Sequence, residues 1–166
     1  IKEIYFPRLI IPMSSILTAL FDFCFALVVY SGVFIWFNHD TDGLRVLYCL
    51  PVSILLTVFT TFGLGTFLAA LNVKYRDFQY IIPFLIQFLL FVNPVLYSSK
   101  IFQEGILGWI MRLNPLANAI NLSRSAFTGN PIDWIGVLYS FGVALIFFLV
   151  GIYTFRKTEA YFADLA

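Results

Sequence analysis

VLYCLPVSILLTVFTTFGLGTFLAAL, residues 46–71, runs for 26 positions without a charged side chain. As a helix it would measure about 39 Å at 1.5 Å per residue, more than the roughly 30 Å hydrocarbon core of a bilayer. The rest of the chain is of the same kind. Apolar residues make up 61% of its 166 positions and charged residues 11%, with a mean hydropathy of +0.91. Soluble domains are about half apolar and a quarter charged. A water-soluble sphere of this size could not hide so much Phe, Leu, Ile and Val. In lipid the backbone must satisfy its own hydrogen bonds, so an open chain crosses as helices. The fold class that follows is an all-α integral membrane protein.

Three further segments pass the same length test. They are residues 11–37, which open near Pro12 and close at Asn38-His39-Asp40, residues 80–97, and residues 134–155. Pro51, Pro83 and Pro94 predict local kinks rather than breaks. Residues 98–133 are amphipathic and too interrupted for a crossing. A short helix is expected from Glu104 to Leu113, and a second begins at Asn114-Pro115, an N-cap followed by a favoured first residue, and ends near Gly129. Two short helices between crossings predict a re-entrant or surface-lying outer hairpin. Four transmembrane helices and one hairpin are therefore expected, within one transmembrane domain over 1–166. The chain starts at Ile1 with no signal-peptide pattern and reads as the continuation of something longer.

Basic residues orient the spans. Lys2 and Arg8, Lys74 and Arg76 in the NVKYRD loop, and Arg156 and Lys157 in the 156–166 tail fall on one side. Arg45, Lys100, Arg112 and Arg124 spread over longer segments on the other, with Asp40 and Asp42 offsetting the first. Both ends are expected in the cytoplasm. Net charge is +1 and no basic run could track a phosphate backbone, so nucleic acid is not an expected partner. Cys24 and Cys49 sit inside apolar segments without a metal-ligand spacing and read as small packing residues. There is no phosphate-binding Gly loop, no HExxH and no Ser/His/Asp set, so neither catalytic residues nor a metal site are expected.

Small residues recur every four positions at Thr61, Gly65 and Ala69 and at Gly136, Ser140 and Ala144, faces that let helices approach closely, either within the chain or against a second copy. Tyr80, Phe84, Gln87, Phe88 and Phe91 share a narrow face of the third span. That face suits lipid contact or the wall of a translocation path, where rings meet sugar C–H surfaces. Asp22 falls near the middle of the first span, where a carboxylate is costly, and is expected to be buried against a polar structural partner. His39 reads as a solvated turn residue. Trp36, Tyr97, Trp109 and Trp134 fall near interfaces, where rings anchor helices.

IKEIYFPRLIIP (1–12), FGLGTFLAALNVKYRDFQYIIPFLIQFLLFVNPVLYS (62–98), LNPLANAI (113–120) and FRKTEAYFADLA (155–166), taken together and in order, resemble one family. It is the membrane subunit of bacterial type-2 ABC exporters for polysaccharides such as O-antigen, teichoic acid or capsule. The resemblance implies a six-span permease of which this chain is the C-terminal two-thirds, so that its spans are the third to sixth and 98–133 the outer gate-like helices.

The resemblance also implies the partners. IKEIYFPR matches the cytoplasmic segment that docks on a separate ATP-binding cassette subunit, with contacts from Lys2, Glu3, Tyr5, Phe6 and Arg8. NVKYRD adds Lys74, Tyr75, Arg76 and Asp77. ATP and Mg would be bound by that partner and no cofactor by this chain. The permease would work as a homodimer in the bacterial inner membrane. It would pass a glycan, attached to polyprenyl pyrophosphate or a similar lipid, between its two copies. The alternatives are a type-2 permease for a drug or small lipid, and a membrane scaffold without transport.

Overall fold

The computed structural model describes residues 10–36, 42–75, 77–97 and 105–163. It is all helical among them. The elements are α1 (Ile10–Trp36), α2 (Gly43–Lys74), α3 (Phe78–Val92), α4 (Gly105–Leu113), α5 (Pro115–Thr128) and α6 (Trp134–Ala163). The chain forms two compact units, Ile1–His39 and Asp40–Ala166.

The first unit contains α1, whose 27 residues span about 40 Å. Apolar side chains go all the way round it, as expected of a helix whose solvent is lipid. Asp22 sits on its exposed surface. A single helix has nothing of its own to cover a side chain, so α1 by itself does not test the expected burial of this carboxylate. His39 lies outside the described residues.

The second unit is built on α2 and α6, which run side by side in the same direction. Tyr48 lies near Trp134 toward the starts of the two helices, with ring centroids 6.1 Å apart. Further along, Phe59 and Phe62 meet Phe148 at 5.0 and 5.4 Å. Near the middle a Cβ placed on Gly63 would come 2.5 Å from the backbone nitrogen of Phe148 and 2.6 Å from the carbonyl oxygen of Phe147. A Cβ on Gly151 would run into the Gly63 carbonyl and the Thr66 hydroxyl. Backbone therefore packs on backbone, the close approach that small residues allow where the hydrophobic effect gives helices little drive to associate.

The buried face of α2 is Cys49, Ser53, Leu56, Thr60, Gly63, Thr66 and Ala70, in steps of three and four. On α6 it is Gly136, Val137, Ser140, Ala144 and Gly151. The α6 stripe expected from spacing is thus a packing face. The α2 stripe is not packed within this unit. Thr61 and Gly65 are exposed, and a Cβ on Gly65 would have nothing within 4 Å. Two small-residue registers compete on this helix. The one that wins sets Gly63 opposite Gly151, so that neither backbone meets a Cβ. Its hydroxyls are satisfied inside the helix, Thr60 donating to the Leu56 carbonyl and Thr66 to that of Phe62, both at 2.7 Å.

Among the described residues, three helices are long and apolar enough to cross a bilayer, over Met13–Val33, Gly43–Lys74 and Trp134–Thr158. The expected span 80–97 takes a shorter form. α3 has 15 residues, about 22 Å. Pro94 stops the helix instead of kinking it, because the residue before a proline is pushed out of the α region. Asn93 accordingly adopts φ −85° and ψ 140°. Pro51 and Pro83 stay inside their helices. α6 continues past Phe155 to Ala163, since FRKTEAYFA contains no Gly or Pro to end it.

Candidate functional site

Since α2 and α6 run in parallel, residues 75–133 must carry the chain back from the end of one to the start of the other. They do so with α3 and the α4–α5 pair. The α4–α5 junction is the most polar place in the second unit. Asn114 caps α5, its Oδ1 accepting from the backbone N–H groups of Leu116 and Ala117 at 3.1 and 3.3 Å. Its Nδ2 donates to Asn93 Oδ1 at 2.8 Å, tying the end of α3 to the junction. Asn118, one turn on and buried, directs its amide nitrogen at the carbonyls of Met111 (3.2 Å) and Arg112 (2.8 Å) and at Ser140 Oγ (2.7 Å). Ser140 in turn donates to the Arg112 carbonyl at 3.1 Å.

Helix ends leave orphan N–H and C=O groups. Here Asn118 of α5 and Ser140 of α6 satisfy the last carbonyls of α4, and the Asn114 cap takes the first amides of α5. Ser140 lies six residues into α6, about 9 Å from its start. Beside the junction, Ala119 packs with Leu56 and Ala144 under Phe59 and Phe141.

Two arginines clamp the frame of the pair. Arg45, at the start of α2, donates to the carbonyls of Gly129 and Asn130, both at 2.7 Å. It thereby closes the C-terminus of α5, where Gly129 takes the left-handed φ of 70° and a cation complements the helix dipole. Arg124 donates to the carbonyls of Tyr97 (3.0 Å) and Val95 (2.7 Å), fixing the irregular turn after α3. Arg112 pairs with Asp133 at 3.1 Å with both side chains about half exposed. A bridge of that exposure contributes little to stability. Sequence reasoning treated these arginines only as topology markers. Their partners are main-chain carbonyls, which leave no signature in the residue types.

Tyr80, Phe84, Gln87, Phe88 and Phe91 all lie exposed on one face of α3, within an arc of about 100°. The opposite face, Ile82, Leu85, Leu89 and Val92, is the partly covered one. The aromatic face is thus turned away from the helices of its own unit. Lys74, Tyr75 and Asp77 are exposed at the α2–α3 turn. Tyr75 is extended, its N–H bonded to the Leu71 carbonyl at 2.8 Å, and Lys74 Nζ lies 5.2 Å over its ring. Lys2, Glu3, Tyr5, Phe6, Arg8 and Arg76 lie outside the described residues.

The model of the ABC-2 type transporter family matches residues 2–128. The chain belongs to that family. It is an ABC-2 membrane domain, and ABC-2 permeases as a family pair with an ATP-binding subunit. An O-antigen export system permease protein RfbA of Klebsiella pneumoniae is 29% identical over 167 residues, covering 99% of this chain and 63% of that protein. An O-antigen export system permease protein RfbA of Myxococcus xanthus is 29% identical over 128 residues, covering 76% of the chain and 48% of the relative. The ABC-2 chain therefore spans less than two-thirds of the length of these relatives. Their names support the O-antigen branch of the resemblance and lend nothing to teichoic acid.

Proposed function

We propose that this ABC-2 domain belongs to the permease of an ATP-driven exporter that moves a lipid-linked polysaccharide across a bacterial inner membrane. The observation that carries the substrate class is the likeness to O-antigen export permeases along 99% of the chain. The assembly is a permease homodimer with two copies of a separate ATPase that binds ATP and Mg. The glycan travels on polyprenyl pyrophosphate or a similar carrier. Closure of the ATPase on ATP reaches the membrane through Lys2, Glu3, Tyr5, Phe6 and Arg8, and secondarily through Lys74, Tyr75, Arg76 and Asp77.

α1, α2, α3 and α6 are the third to sixth spans, and α3 completes its crossing with the turn that follows it. The α4–α5 pair is a re-entrant hairpin on the outer side. Its self-satisfied junction supports this, because backbone groups below the membrane surface can count on no water. The start of α2 and the start of α6 then face outward, and the NVKYRD turn and the 156–166 tail face the cytoplasm. The engagement of Arg45, Arg112 and Arg124 within the fold agrees with that orientation. It leaves the basic residues at the other end to meet the ATPase and the anionic leaflet.

The aromatic face of α3 lines the path between the two permease copies, where rings and the Gln87 amide let sugars slide without tight binding. Asp22 takes a polar partner outside α1, since an uncompensated carboxylate at that depth is costly.

Deletion of the gene followed by analysis of lipid-linked glycans tests the function. Accumulation of polymer inside the cell is expected. Normal surface polysaccharide with lost resistance to an amphiphilic drug would overturn the glycan assignment. Impermeant thiol labelling of single cysteines at positions 45 and 74 tests orientation, with position 45 expected to label from outside and position 74 only after permeabilisation.

A further inference from the structure

At the ends of the parallel pair, α2 and α6 part to form an open cleft of about 560 Å³. It lies where the apolar runs give way to polar residues, next to Asn72 on α2 and Arg156 on α6. Its charged lining is Lys74 and Lys157, with the phenols of Tyr75 and Tyr153 and the hydroxyls of Thr154 and Thr158. Ala70 and Leu71 supply an apolar part toward the span. Among the described residues, no carboxylate lines it and neither lysine has an ion pair.

We infer that this cleft holds the headgroup of an anionic glycerophospholipid bearing hydroxyl groups, of the phosphatidylglycerol type. The volume is that of a small-ligand site, and two ammonium groups at a membrane surface favour a phosphate diester. The hydrogen-bond roles narrow the choice. Thr154 and Thr158 spend their protons on the carbonyls of Val150 and Thr154, at 2.8 and 2.9 Å. Their oxygens can therefore only accept from a ligand. The lysines can only donate, and the phenols can do either. A site that offers cationic donors and hydroxyl acceptors matches a phosphate followed by an alcohol. A choline headgroup has no proton to give the threonines, and an ethanolamine headgroup would set a third ammonium beside the two lysines. Tyr153 is 69% exposed, so a lipid can enter sideways while its chains stay in the bilayer.

The inference requires that α2 and α6 cross a membrane, and it holds whatever the cargo. It is compatible with a coupling role for Lys74 and Tyr75, and Lys157 separates the two because it belongs to no proposed ATPase contact.

The test is native mass spectrometry of the complete transporter, permease with its ATP-binding partner, delipidated and titrated with phosphatidylglycerol or phosphatidylcholine. Phosphatidylglycerol is expected to bind preferentially, with the preference falling about fivefold for each of Lys74→Gln and Lys157→Gln. Lys157→Arg should retain it, which separates loss of charge from misfolding. Thr154→Val with Thr158→Val should reduce phosphatidylglycerol to the affinity of phosphatidylmethanol, a phosphate diester of the same charge without the headgroup hydroxyls. Equal binding of the two lipids, an unchanged preference in Lys157→Gln, or tighter binding of a polyprenyl pyrophosphate than of phosphatidylglycerol would each overturn the assignment.

Discussion

Replacing Gly63 by Ala adds one methyl group at the point where α2 and α6 touch. The methyl carbon would begin 2.5 Å from the Phe148 nitrogen and 2.6 Å from the Phe147 oxygen. Ordinary contact needs about 3.5 Å, so the helices must separate by about 1 Å. Both obstructing atoms are backbone, so no rotamer change can relieve the clash. The gap would then spread to the packing of Thr66 on Gly151 and of Phe59 and Phe62 on Phe148. Overpacking of this kind costs about 1–3 kcal/mol. Gly65→Ala, two residues on, is the matched control. Its methyl meets nothing within 4 Å, and Ala for Gly inside a helix favours folding by about 0.5–1 kcal/mol. The propensity gain is common to both variants, so they should differ by the overpacking cost, about 1–3 kcal/mol. Thermal unfolding of the detergent-solubilised transporter, followed by the loss of its monodisperse chromatographic peak, reads the difference. Gly63→Ala combined with Gly151→Ala should cost less than the sum of the two, because the first change already opens the shared contact. If Gly65→Ala proved as damaging as Gly63→Ala, the packing face of α2 would be wrong, and with it the parallel pairing.

Asn118→Asp should destabilise more than Asn118→Ala, by at least about 1 kcal/mol. A carboxylate there would replace the donor that faces the Met111 and Arg112 carbonyls with a second acceptor; protease resistance of the α4–α5 segment would report it. Arg45→Ala should cost about 1–2 kcal/mol through loss of both carbonyl bonds, and hydrogen exchange should rise first at residues 129–133. Alanine at Phe84 and Phe88 should slow export with little change in stability, whereas Leu85→Ala and Leu89→Ala on the opposite face should lower stability first. Export assays paired with melting curves separate the two faces, and intact export in the Phe variants would remove α3 from the path.

Composition and run length made the membrane class legible, because a helix 26 residues long without a charge has few other places to be. The α4–α5 pair was equally readable. Asn114-Pro115 and Gly129 act through local geometry, and local geometry is written in adjacent residues. The α3 terminus was misread because Pro94 can either kink or stop a helix. The stop is accompanied by a bond from Asn114, 21 residues away, to the Asn93 side chain, which the local sequence does not announce. The α2 packing face was misread for a related reason. Thr61-Gly65-Ala69 and Thr60-Gly63-Thr66-Ala70 are both acceptable stripes on one helix, and only Gly151 on another decides between them. The arginine clamps were invisible for the same reason, since their partners are carbonyls that every residue possesses.

Those unread contacts concentrate at one end of the second unit. α2 and α6 are locked near their middles by a glycine pair that tolerates no separation. At their starts, α3, α4 and α5 are joined to them through Asn93, Asn114, Asn118, Ser140 and two arginines. A small-residue crossing resists sliding because its contact is steric and unforgiving. Side-chain amide and guanidinium bonds to carbonyls can be exchanged for others at modest cost. Motion arriving at the Lys74 end would therefore pass along α2 and α6 as a rigid pair, and the polar junction is where it could be taken up. On this division of labour, Gly63→Ala should impair the transmission of ATPase-driven motion even where the protein remains folded. Arg45→Ala should instead loosen the hairpin while leaving ATP hydrolysis intact. Parallel measurement of hydrolysis and export in the two variants decides it, and equal coupling ratios for both would show that rigidity and gating do not reside in separate parts of the unit.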